Sequence, residues 1–148
     1  MRKRTQAREI ALKALYQHDL QRKREKDARA TVDDFESFIQ AESGDPEVRS
    51  YVRFLLDGTL ASITELDERI AAAALNWKLS RIAPVDRSIL RLALFELIES
   101  PDVPPKVAIN EAIDLAKKFS TEQSGAFVNG ILDRIYNDLK ETRQGGPC

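Results

Sequence analysis

The side chains best equipped for chemistry in this sequence are cations at one end and an aromatic at the other. Arg2, Lys3, Arg4 and Arg8 place four positive charges in seven residues with no acid among them. Clustered guanidinium groups suit phosphate oxygens, because a planar fork of N–H donors bonds them two at a time. On a helix Arg4 and Arg8 stand one turn apart, so both can face one strand backbone. The other reading of the same run is a solubilising tail, and composition does not separate the two. Near the far end, Phe127 falls at the edge of a helical apolar face, where a half-exposed ring can stack on an unpaired base. Asn129-Gly130 is an odd pair inside a helix, since Gly costs about 1 kcal/mol there relative to Ala. It implies close helix approach or room for a ligand, and periodicity alone favours packing.

The parts of a catalyst are missing. His18 is the only histidine and Cys148 the only cysteine, and no nucleophile motif accompanies either. His18 projects with Ala7, Ala11 and Ala14, which reads as a packed histidine. No glycine-rich phosphate cradle and no metal-ligand spacing occurs. The reading is therefore a binding protein, not an enzyme, with no cofactor, no metal and no disulfide, suited to a reducing cytoplasm.

These groups must be positioned by helices. The hydrophobic share of 43% beside 32% charge suits a globular chain that builds its own core. No apolar run is long enough to span a membrane, and no secretory signal is readable. Residues 1–30 carry ten Lys/Arg against four Asp/Glu, and the rest thirteen against twenty, a basic end on an acidic body. Periodicity predicts an all-α chain and one domain over 1–148, with a basic stretch at about 1–8 and a frayed tail at about 142–148. The first helix runs from near Thr5 to about Arg24. Thr31 and Asp34 resemble a capping box before a short helix through Phe38 and Ile39. Pro46 to about Leu75 is one helix or two with a kink. A break at Asn76-Trp77-Lys78-Leu79 precedes a helix from Pro84 to Glu99, apolar on most of its circumference and so central. Another helix begins near Lys106, and Ser120 with Gln123 caps the last one reciprocally. Tyr16 lines up with Leu12 and Leu20 opposite the alanine face, a second stripe that meets either another part of this chain or a partner.

Four segments together resemble the NusB family of bacterial antitermination factors. They are Ala7-Arg8-Glu9-Ile10-Ala11-Leu12-Lys13-Ala14-Leu15-Tyr16-Gln17, the stretch from Asn76-Trp77-Lys78-Leu79 through Pro84-Val85-Asp86-Arg87 to Arg91, Val107-Ala108-Ile109-Asn110-Glu111-Ala112-Ile113, and Phe127-Val128-Asn129-Gly130. They occur in family order, and the likeness covers about residues 2–140. The resemblance implies two three-helix lobes plus a connecting helix. It implies binding of boxA-like single-stranded RNA as a heterodimer with NusE, a small-subunit ribosomal protein, within an RNA polymerase antitermination complex with other Nus factors. Carried over residue by residue, it places Arg2, Lys3, Arg4, Arg8, Gln123, Ser124, Phe127 and Asn129 on RNA, and Tyr16 and Asp86 on NusE. Self-association as a homodimer stays open.

Thr5 and Gln6 interrupt what is an arginine triplet in some relatives, and Ala126 stands where many have Lys, so weaker or more salt-sensitive RNA binding is expected. Two other functions compete: an interaction module that has lost RNA binding, and an accessory domain like that of certain ribosomal RNA cytosine methyltransferases. The second would continue into a cofactor-binding domain, of which this sequence holds no trace.

Overall fold

The computed structural model describes residues 2–24, 35–75 and 78–144. Seven α-helices account for nearly all of them, and the described residues contain no strand. In chain order they are α1 (Lys3–Arg24), α2 (Glu36–Glu42), α3 (Pro46–Ala61), α4 (Ile63–Ala73), α5 (Pro84–Glu99), α6 (Pro105–Phe119) and α7 (Glu122–Gln144). The expected box at Thr31 and Asp34 lies outside the described residues, as do Asn76 and Trp77. Helices α1, α2 and α3 pack together on one side; α4, α6 and α7 form the other group, and α5 lies between the two.

Local chemistry sets the boundaries. Asp45 caps α3 by accepting from the Glu47 N–H at 2.9 Å, with Pro46 at the first helical position, where its missing N–H costs nothing. Pro84 and Pro105 open α5 and α6 in the same way. The span from Pro46 resolves into two helices that break at Ser62.

Helix α5 is buried without interruption from Asp86 to Glu96. Ile89, Leu90 and Leu94 are fully enclosed, against residues such as Leu12, Leu55 and Leu132 from the surrounding helices. The same stretch carries Arg87, Arg91 and Glu96 into the interior. Asp19 of α1 meets Arg87 at 2.5 Å and Arg91 at 3.3 Å, and Asp67 of α4 meets Arg91 at 2.7 Å. Burial alone would raise the Asp19 pKa, but the two guanidinium groups hold it below the usual carboxylate range. At the other end, Arg8 of α1 and Tyr51 of α3 converge on Glu96, and Glu111 of α6 meets the same Arg8.

Two glycines make opposite demands. A Cβ on Gly58 of α3 would fall 1.9 Å from the Phe95 ring, so this glycine lets α3 and α5 approach. Gly130 of α7 has nothing within 4 Å of that position. The packing explanation expected from periodicity is therefore wrong for Gly130, which is exposed. Gly58→Ala should destabilise by about 1–3 kcal/mol through overpacking, whereas Gly130→Ala should stabilise by about 0.5–1 kcal/mol through helix propensity. Urea unfolding midpoints of the two variants check both signs.

Candidate nucleic-acid interface

The N-terminal cations do not share one environment. Arg2 is exposed. Lys3 Nζ lies 3.3 Å from Asp45 and 3.2 Å from Glu47, and these acids raise its pKa. Arg4 donates to Asp102 at 2.7 Å and stacks its guanidinium 4.5 Å over the Tyr51 ring. Asp102 is held below the ordinary carboxylate range by Arg4 in return. All three cations remain substantially open to solvent, where such pairs are weak and exchangeable.

Arg8 differs. Its side chain is only 7% exposed, and Nε donates to both Glu96 oxygens at 2.9 and 3.0 Å while the guanidinium reaches Glu111 at 3.2 Å. Tyr51 donates to the same Glu96, and burial with that carboxylate pushes the phenol up to about 12. The expectation that Arg4 and Arg8 face one strand backbone together fails in this geometry. Both approach Tyr51, but Arg8 is sunk in the core and its charge is already matched.

At the start of α7 the cap is Thr121, not the expected Ser120 and Gln123 pair. The Ser124 N–H donates to Thr121 Oγ1 at 3.0 Å. The Ser124 hydroxyl then donates to Asp86 Oδ2 at 3.0 Å, while Ser120 Oγ lies 2.9 Å from it. Asp86, expected on the protein partner, and Ser124, expected on RNA, thus belong to one structure. Gln123 is exposed and Phe127 half-buried, and both line an open pocket of about 230 Å³ with Asp86 and Ser124. Asn129 lies two positions beyond Phe127, about 200° round the helix, and does not line that pocket. Tyr16 is half-buried; of its stripe Leu12 is enclosed and Leu20 is open. His18 is packed edge-on against Phe35, as its position implies.

Helix α6 links the two regions. Thr5 donates to Glu111 at 2.8 Å near its middle, and Lys118 pairs with Glu9 at 2.7 Å near its end. A Cβ on Gly125 of α7 would come 3.1 Å from the Lys117 side chain. From Glu111 to Lys117 the helix rises about 9 Å. Sequence reasoning missed Arg81, exposed at the rim of the α7 pocket, and nothing in its local pattern marks it. It also missed a groove of about 700 Å³ beside Lys3 and Arg4, with Tyr51 and Phe54 along it. The signal there was legible: both rings lie off the buried stripe of α3.

The family model described as the NusB family matches residues 5–137. The transcription antitermination protein NusB of Anaeromyxobacter dehalogenans (strain 2CP-1) is 46% identical over 143 residues, covering 97% of this chain and 96% of the relative. The chain belongs to the NusB family. The NusB fold is reproduced in T. maritima NusB at a TM-score of 0.76 and 36% identity, covering 89% of each chain. A crystal structure of the antitermination factors NusB and NusE with double-stranded RNA matches at a TM-score of 0.79 and 29% identity, over 93% of this chain and 98% of that one.

For this NusB-family chain, burial separates the arginines energetically. Arg8→Ala strips the buried Glu96 of its main cation and should cost about 3–5 kcal/mol. Arg4→Ala, at the surface, should change stability by less than about 0.5 kcal/mol. Thermal and urea unfolding of the two variants side by side would show equal, small losses if Arg8 were an exposed arm residue.

Proposed function

We propose that this chain is a transcription antitermination factor that binds boxA-like single-stranded RNA in nascent ribosomal transcripts as a heterodimer with NusE. It works by assembly in the cytoplasm, without catalysis, and helps keep RNA polymerase elongating. Family membership supports the class, and the NusB–NusE–RNA structure supplies the partner chemistry by similarity. The observation that carries the reading onto this surface is the pairing of open cations with a half-buried aromatic across α6. Arg2, Lys3 and Arg4 supply phosphate contacts, and Lys117 lies between them and the pocket holding Gln123, Ser124 and Phe127. A ring that is half exposed suits an unpaired base, because a paired base offers no free face. Asn129 belongs to the same RNA-contacting set on the resemblance alone. Tyr16, with the open Leu20 beside it, serves as the face for NusE. Arg8 acts indirectly, by anchoring α1 to α5 so that the cations before it are presented.

One observation favours a second reading, an interaction module without RNA binding. Lys3 and Arg4 are already paired with Asp45, Glu47 and Asp102, so phosphate must displace carboxylates to gain either cation. A salt series separates the readings. With NusE present, a boxA-like single strand should bind with a log–log salt slope that flattens by about 1.4 in Arg2→Ala/Arg4→Ala, from about 0.7 per lost phosphate contact. NusE binding with no RNA binding at any salt would establish the module instead.

A further inference from the structure

Arginine is seldom idle in this molecule. Among the described residues, every arginine except Arg2 and Arg81 donates from its guanidinium to a carboxylate or a backbone carbonyl. Arg2 belongs to the basic arm. Arg81 stands apart from it, exposed at the rim of the α7 pocket, with no ion pair or side-chain hydrogen bond among the described residues.

Its backbone is nonetheless held. Leu79–Arg81 forms one 3₁₀ turn, closed by the Arg81 N–H on the Lys78 carbonyl at 2.9 Å and the Ile82 N–H on the Leu79 carbonyl at 3.2 Å. Arg87 donates to that Leu79 carbonyl at 3.3 Å and is itself pinned by Asp19 at 2.5 Å. Ile82, the next residue, is buried. The root of the Arg81 side chain is thus fixed to the start of α5, while its guanidinium stays in solvent.

The pocket has use for that charge. Helix α7 carries no Lys or Arg before Arg134, which is turned to the Ala73 carbonyl at 3.0 Å. Phe127 therefore receives no cation from its own helix, and Arg81 is the only cation lining the pocket. The one carboxylate of the lining, Asp86, is buried and takes the Ser124 hydroxyl. A nucleotide stacked on Phe127 brings its phosphate toward that carboxylate, and a cation must offset the repulsion. A guanidinium bonds two phosphate oxygens at once. Unlike Lys3 and Arg4, Arg81 does so without displacing a carboxylate.

We propose that Arg81 is an RNA-binding residue whose guanidinium takes the backbone phosphate of the nucleotide stacked on Phe127. This rests on the RNA reading above and adds a contact that the arm at residues 2–4 does not supply.

The test measures a boxA-like single strand on the complex with NusE across a salt series, for wild type, Arg81→Ala and Arg81→Lys. One phosphate contact on a single strand is worth about 0.7 in log–log slope, or about fivefold in affinity between about 1 M and about 0.1 M salt. Arg81→Ala should therefore flatten the slope by about 0.7 and weaken binding about fivefold at about 0.1 M. Arg81→Lys should keep the slope and lose part of the affinity, since the charge remains and the fork does not. In a Phe127→Leu background, where stacking no longer holds the nucleotide, Arg81→Ala should cost less than about twofold. A strand of abasic residues gives the same comparison if Phe127→Leu unfolds. Unchanged affinity and slope in Arg81→Ala would overturn the proposal, as would a full loss that persists without stacking. Weaker NusE binding by Arg81→Ala in the absence of RNA would overturn it too, making Arg81 a protein contact. If wild type binds no RNA, the antitermination reading fails with it, a result distinct from an Arg81→Ala that matches a binding wild type.

Discussion

Everything in this molecule is arranged around the need to satisfy charges buried in one helix. Helix α5 is enclosed from Asp86 to Glu96, yet four of those eleven residues are ionisable. Each must find its partners on another helix, because a buried charge without one costs several kcal/mol. Asp19 and Arg8 come from α1, Tyr51 from α3, Asp67 from α4 and Ser124 from α7. Apolar packing alone would tolerate small slides of these helices over α5. Fixed donor and acceptor pairs do not, so α1, α3, α4 and α7 have their register set against the same rod, and α6 is tied to it through Arg8 and Glu111.

That frame decides which functional side chains are free. Arg8 and Asp86 are both consumed by it, whereas Arg2, Lys3, Arg4, Gln123 and Phe127 stand outside it. The arm is displayed because its helix is pinned one turn later, and the α7 pocket is shaped because Asp86 and Ser124 join two helix beginnings. Rigid support beneath exposed contact groups is what a binding surface needs, since ordering it at the moment of binding would cost affinity.

Most of the helical plan was legible in the sequence. Proline at first-turn positions and an uninterrupted apolar circumference located the starts of α3 and α6 and both ends of α5 nearly to the residue. The kink after Pro46 was left open, since no proline or cap marks Ser62. The cap of α7 was misplaced by one residue because Ser120 and Thr121 are chemically equivalent candidates, and only geometry chooses between them. The site was read less well for a physical reason. Local periodicity says which face a residue occupies, but not what lies across from it. Arg8 shares a face with Arg4, and only the arrival of Glu96 and Glu111 from distant positions sinks it. The Gly58 contact with Phe95 and the meeting of Asp86 with Ser124 are likewise tertiary facts with no local signature, while Gly130 drew attention and packs against nothing.

Where RNA lies on this surface decides the function. The most direct measurement is amide chemical-shift mapping of the chain, bound to NusE, as a boxA-like single strand is added. Changes are expected at residues 2–5, around Lys117, and from Thr121 to Phe127, with the open face of α4 at Glu65 and Glu68 silent. Changes confined to α4, or to the groove over Phe54 with the start of α7 unaffected, would contradict this placement.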